Sequence, residues 1–120
     1  MNPATLVGTG AAAGALLRYG TNQYVGERLG DRWFPYGTFT VNVVGSFVLG
    51  LVTFLGAPES VQYAVGTGAC GAYTTFSSFS VDTVQLWERG RRLLAAWYAA
   101  ANLVGAFVAI AAAWGVAGAT

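Results

Sequence analysis

The sequence predicts an all-α membrane protein of four crossings, and three observations carry that expectation. Hydrophobic residues make up 55% of the 120-residue chain and charged residues only 9%, against about 25% charged in an ordinary soluble domain. The charges that exist are confined to short stretches. Between them lie four runs without any Asp, Glu, Lys or Arg: Met1–Leu17, Trp33–Pro58, Ser60–Val81 and Leu93–Thr120. A helix rises ~1.5 Å per residue, so about 20 residues cross a bilayer, and each run is long enough for one crossing or most of one. The expected spans are residues 4–24, 36–55, 61–86 and 93–115 of a single domain covering 1–120, with little chain left for a soluble part. Residues 1–17 lack a basic leading region, so they are expected to be a crossing and not a cleaved signal peptide. With one Cys there is no internal disulfide, and a net charge of +1 gives no basic footprint for nucleic acid.

The first crossing holds Gly10 and Gly14 four residues apart, a pair that allows close helix contact. Association in lipid depends on backbone approach. On the second, Thr38, Asn42, Ser46 and Thr53 follow one another at spacings of four, four and seven, which places them on one face. On the fourth, Tyr98 and Asn102 share a face in the same way. Uncharged hydroxyls and amides can either bond helix to helix or line a polar path. Such a wall suits an anion that must shed water without being trapped.

The third crossing interrupts itself. Its segment GTGACGAYTTFSSFS, residues 66–80, carries three glycines in its first half and five hydroxyl residues in its second. Each glycine weakens helix propensity by roughly 1 kcal/mol, so a break near Gly71–Thr74 is expected. Irregular backbone at that depth survives only when it is buried in protein or lines a cavity. Phe76 and Phe79, three apart, point roughly the same way. The positive edge of an aromatic ring can face an anion.

These residues resemble a known family. GACGAYTTFSSFS, Gly68–Ser80, resembles the third-helix signature of the Fluc/CrcB fluoride channels, with Ala72 where the family usually has a second glycine. GAAAGALLRY, Gly10–Tyr19, is similar to the family's first-helix motif, and GTFTVNVVGSFVLG, Gly37–Gly50, to its second-helix segment around Asn42. The resemblance implies an antiparallel dimer of four-helix subunits with two fluoride pathways, in the cell membrane, exporting fluoride passively. It implies pore roles for Asn42, Phe76, Phe79, Tyr98 and Asn102, together with the hydroxyls of Thr75, Ser77 and Ser78. Arg18 would sit at a vestibule. Backbone carbonyls of Gly71 and Thr74 would hold a structural Na⁺ at the dimer interface. Ala106 stands where the family often has Ser, and Asp82 where it commonly has Glu. Two other readings compete: a small four-helix multidrug-type exporter, which would want a membrane carboxylate on its first helix, and an assembly subunit without transport. An enzyme is not expected, since the chain has no His, no Cys pair and no carboxylate pair in reach of a pocket.

Charge also bears on orientation. Arg28 and Arg32 lie between the first two crossings, and Arg89, Arg91 and Arg92 between the last two. The termini and the loop after the second crossing have no Lys or Arg. The positive-inside bias then puts the arginine-rich loops in the cytoplasm. The partner in an antiparallel dimer is therefore a related chain of opposite bias, or a copy of this chain inserted the other way.

Overall fold

The computed structural model describes residues 1–30 and 34–120; Arg32, part of the charge asymmetry above, lies outside the described residues. Among the described residues every regular element is helical and there is no strand. Four helical segments follow one another, the third of them composite.

Helix α1 runs Pro3–Leu29, further than the expected end at Tyr24. Asn2 caps its start by accepting the Thr5 N–H at 2.9 Å, and Pro3 fits the first turn, where its missing N–H is not needed. Gly30 closes it with a positive φ of 73°, a conformation open to glycine. Helix α2 covers Tyr36–Phe54. The third segment begins with α3, Glu59–Val61, and continues as a π-helical stretch over Gln62–Cys70. There the hydrogen bonds span five residues, a widening that the sequence did not announce. A single turn, α4, Gly71–Tyr73, follows. Thr74 (φ −76°, ψ 159°) and Thr75 (φ −148°, ψ 118°) are extended, and α5 then runs Phe76–Glu88. Helix α6 spans Arg92–Gly118.

Packing follows the small residues. Helix α1 lies along the π-helical stretch, and α2 along α6. A Cβ added to Gly10 would overlap the Ala64 carbonyl oxygen, and one on Gly14 would overlap that of Ala69. From the other side, a Cβ on Gly68 would come within 2.6 Å of the Val7 carbonyl oxygen. Backbone therefore meets backbone along this seam, as expected of the Gly10 and Gly14 pair. On the α2–α6 side, Val41, Ala109 and Ala113 are buried, and a Cβ on Gly105 would press on Val43 and Phe39.

The outer surface is apolar. Helices α2 and α6 are long and apolar enough to cross a bilayer, yet only 28% and 22% of their most apolar windows are buried. A core helix of a soluble protein would be covered. Here Leu93, Trp97, Leu103, Phe107 and Trp114 of α6 are all exposed, a surface suited to hydrocarbon. Arg28 lies in the last turn of α1 and Arg89, Arg91 and Arg92 at the α5–α6 junction, and at this end a recess is lined from the α1–α2 connection by Pro35 and from the end of α5 by Arg89. Aromatic rings sit beside them, Arg28 over Tyr24 at 5.4 Å and Arg92 over Trp87 at 4.9 Å, as at a membrane–water interface.

Candidate functional site

The two extended residues between α4 and α5 organise the site. An uninterrupted helix would give the Gly71 carbonyl the Thr75 N–H, and the Thr74 carbonyl the Ser78 N–H. Both amides go elsewhere. The Thr75 N–H donates to Asn42 Oδ1 at 2.8 Å. The Ser78 N–H donates to Thr75 Oγ1 at 3.0 Å, which caps the start of α5. The Gly71 and Thr74 carbonyls are thus deprived of their helical partners. Gly71 itself is exposed, with nothing within 4 Å of an added Cβ. Thr74 is held inward, its hydroxyl donating to the Cys70 carbonyl at 2.9 Å and its methyl packed where only Gly45 leaves room.

Asn42 clasps the interruption from α2. Besides accepting from the Thr75 N–H, its Nδ2 donates to the Thr75 carbonyl at 3.3 Å and to Asn102 Oδ1 at 3.0 Å. One side chain thereby satisfies both main-chain groups of Thr75, which could not remain unpaired in a low-dielectric interior. Asn102 in turn donates from Nδ2 to the Tyr98 carbonyl at 3.0 Å. Tyr98 is fully buried. Its phenol donates to Asp82 Oδ2 at 2.9 Å, and Thr38 Oγ1 donates to the same oxygen at 2.8 Å. The result is a chain of polar contacts from Thr38 and Asp82 through Tyr98 and Asn102 to Asn42 and Thr75.

A groove of about 330 Å³ opens beside this chain. Asn42, Thr75, Phe76, Phe79 and Asn102 line it, with Ser46 and Leu103. Thr74 lines it too, so six of the candidate site residues singled out from the sequence meet in one place. Phe76 is 79% exposed, and its ring lies 5.8 Å from that of Phe79 at 45°. Phe79 stacks on Tyr98 at 5.8 Å, and Phe34 meets Tyr98 edge-on at 5.1 Å. Tyr98 stands behind the groove as a support.

The other sequence candidates lie elsewhere. Ser78 lines the separate polar recess of about 320 Å³ at the arginine-rich end, with Asn22, Thr38, Asp82 and Arg89. Ser77 is exposed and lines neither space. Arg18 is half-buried on α1, which contributes nothing to the groove. Ser46, on the α2 face expected to line a polar path, does line the groove. Asp82 has no role assigned from the sequence, because its contacts come from helices distant in the chain.

Fold and site together define a small helical membrane protein with uncharged polar groups gathered around interrupted backbone. The chain belongs to the CrcB-like family, described as "CrcB-like protein, Camphor Resistance (CrcB)", whose profile matches residues 5–116. It is 51% identical over 116 residues to a protein of Haloarcula marismortui named fluoride-specific ion channel FluC 2, covering 97% of this chain and 94% of that one. It is 49% identical to fluoride-specific ion channel FluC 1 of Halobacterium salinarum, over 93% of this chain and 91% of the relative. A third relative, fluoride-specific ion channel FluC 1 of Frankia casuarinae, is 51% identical over 88% of each chain.

Proposed function

We propose that this chain forms a fluoride-selective channel that exports cytoplasmic fluoride passively across the cell membrane. The observation that carries the reading is the groove in which Asn42, Asn102, Phe76 and Phe79 meet beside the extended Thr74–Thr75 pair. The names of the relatives at about half identity support it. Neutral HF enters a cell from acidic surroundings and ionises inside. A membrane potential, negative inside, then drives the anion out with about 2.3 kcal/mol per charge per 100 mV. No ATP site or other enzymatic step is needed. Amide N–H groups and ring edges attract an anion without the deep trap that a cation would create.

The third crossing is, on this reading, discontinuous at mid-membrane, with its irregular backbone facing a cavity wall. Phe76 is the ring most open to the groove, and its edge is the part that meets fluoride. Phe76→Ile removes that edge while keeping apolar bulk at an exposed position. The expected result is a fall in fluoride efflux from vesicles of at least tenfold, with assembly unchanged. Wild-type efflux from Phe76→Ile would sink the ring-edge mechanism.

The subunit works as half of an antiparallel dimer, and a structural Na⁺ fits at its interface. The donor set suits such an ion, since hard cations take oxygen ligands and discontinuous helices supply carbonyls for them. Gly71 and Thr74 would hold it with the two carbonyls whose helical amides are diverted, and an inverted partner would bring two more. The ion would supply positive charge that ties the subunits together. A Cβ added at Gly71 meets nothing within 4 Å in its own chain, and the residue is exposed. Gly71→Leu is therefore expected to leave a folded chain that no longer dimerises in detergent, read by light scattering. A Gly71→Leu dimer as stable as wild type would contradict the assignment.

The partner is a related chain of opposite charge bias or an inverted copy. A Cys70→Ala, Ser60→Cys chain distinguishes them, because Ser60 is exposed at the end away from the arginines. Labelling of nearly all molecules from outside is expected for a chain with one fixed orientation. Labelling of about half would mean dual insertion and a homodimer.

A further inference from the structure

We infer that Asn102 sets the anion selectivity of the groove by occupying, with its own side-chain oxygen, the place an anion must take at Asn42. The inference rests on the channel reading above and adds to it a reason for discrimination. An asparagine side chain has two N–H donors and one carbonyl oxygen. At Asn42 all are committed: Oδ1 to the Thr75 N–H, and Nδ2 to the Thr75 carbonyl and to Asn102 Oδ1.

The amide orientations are fixed by main chain at both ends. Asn42 Oδ1 must be the oxygen, because it faces the Thr75 N–H. Asn102 Nδ2 must be the nitrogen, because it faces the Tyr98 carbonyl. Between them, a donor meets an acceptor at 3.0 Å. Asn42 and Asn102 both line the groove, so this bond is within reach of an entering ion.

An anion reaching Asn42 must replace one of two acceptors. Displacing the Thr75 carbonyl would strip a main-chain oxygen at the interruption. Displacing Asn102 Oδ1 leaves Asn102 still anchored through Nδ2 to Tyr98. The second route disturbs less. It sets a threshold: the incoming ion must accept a hydrogen bond better than an amide oxygen does. Fluoride, small and charge-dense, meets that condition, since bonds to a charged acceptor are roughly twice as strong as neutral ones. Chloride spreads the same charge over a larger sphere and meets it poorly. Selectivity here is a difference of affinities created by a resident competitor.

The test follows the Asn42 side-chain amide by NMR in ¹⁵N-labelled protein in detergent, titrated with sodium fluoride and with sodium chloride, alongside efflux of both anions from vesicles. In the wild type, sodium fluoride is expected to move one Asn42 Nδ2 proton and sodium chloride at equal concentration neither. Asn102→Leu, close to isosteric, removes the competitor. Both salts should then move the proton, and the fluoride-to-chloride efflux ratio should fall about fivefold, the equivalent of one net hydrogen bond. Asn102→Val serves the same purpose if the leucine chain does not fold. Unchanged chloride silence and an unchanged ratio in the variant overturn the inference. Wild-type fluoride efflux without any movement of the Asn42 proton overturns it too, and leaves the channel reading intact. Conversely, vesicles that carry no fluoride even when a related chain of opposite charge bias is reconstituted with this one refute the channel reading, while the salt-dependent shifts still decide whether Asn102 competes at Asn42.

Discussion

Asn42→Asp is expected to lower fluoride efflux by about a hundredfold while the chain still inserts. The substitution keeps an oxygen facing the Thr75 N–H. It removes both donors, however, and sets a second oxygen against the Thr75 carbonyl and Asn102 Oδ1, 3.3 Å and 3.0 Å from the lost nitrogen. Two acceptors lose their partners in a dry interior, each at about 1–3 kcal/mol. The carboxylate also repels the anion and is itself costly within a bilayer. About 3 kcal/mol of added barrier corresponds to roughly two orders of magnitude in rate. A fluoride electrode on vesicles holding the purified variant reads the result. Efflux near the wild-type rate would place Asn42 outside the path and its clasp outside the mechanism.

Gly14→Leu is expected to prevent folding of the bundle. The seam between α1 and the π-helical stretch is backbone against backbone, and a Cβ at Gly14 overlaps the Ala69 carbonyl oxygen. A rigid carbonyl in a helix cannot swing aside as a side chain can. Overpacking of a tight core costs about 1–3 kcal/mol and occasionally more, and a whole leucine at a backbone contact belongs at the upper end. Gly8→Leu is the control on the same helix, since nothing lies within 4 Å of a Cβ there. Size-exclusion profiles in detergent should show Gly8→Leu as monodisperse and Gly14→Leu as aggregated or absent. Matching profiles for the two would contradict the seam.

Much of this architecture was legible because lipid limits what a chain can do. Uncharged runs of bilayer length place the helical segments, and Gly10 with Gly14 mark the seam before any coordinates are known. Thr38, Asn42 and Ser46 read as one face because their spacing matches the helical repeat, and they do turn inward. Thr53 has the same spacing, yet its hydroxyl returns to the Leu49 carbonyl at 2.9 Å and the residue is exposed. Periodicity identifies a face but not how far along the helix a neighbour covers it.

The finer chemistry was hidden for a different reason. Asn42 is legible as a polar residue in an apolar helix, but its partner is the main chain of Thr75, and a sequence does not say which backbone groups lose their helical bonds. Asp82 looked like a departure from a family pattern. Its meaning lies in two hydroxyl donors that reach it from 44 and 16 residues away. The π-helical widening over Gln62–Cys70 lies against α1, and glycine content alone does not distinguish it from an ordinary helix.

The central claim is that this small bundle passes fluoride and discriminates against chloride. The direct measurement is efflux from liposomes that contain only the purified wild-type chain, loaded with equal fluoride and chloride and followed with an electrode for each ion after the membrane is made permeable to potassium. Rapid fluoride release with chloride retained is the predicted result. Retention of both ions would contradict the claim if a related chain of opposite charge bias, reconstituted together with this one, also fails to release fluoride; release of both anions at similar rates would contradict it outright.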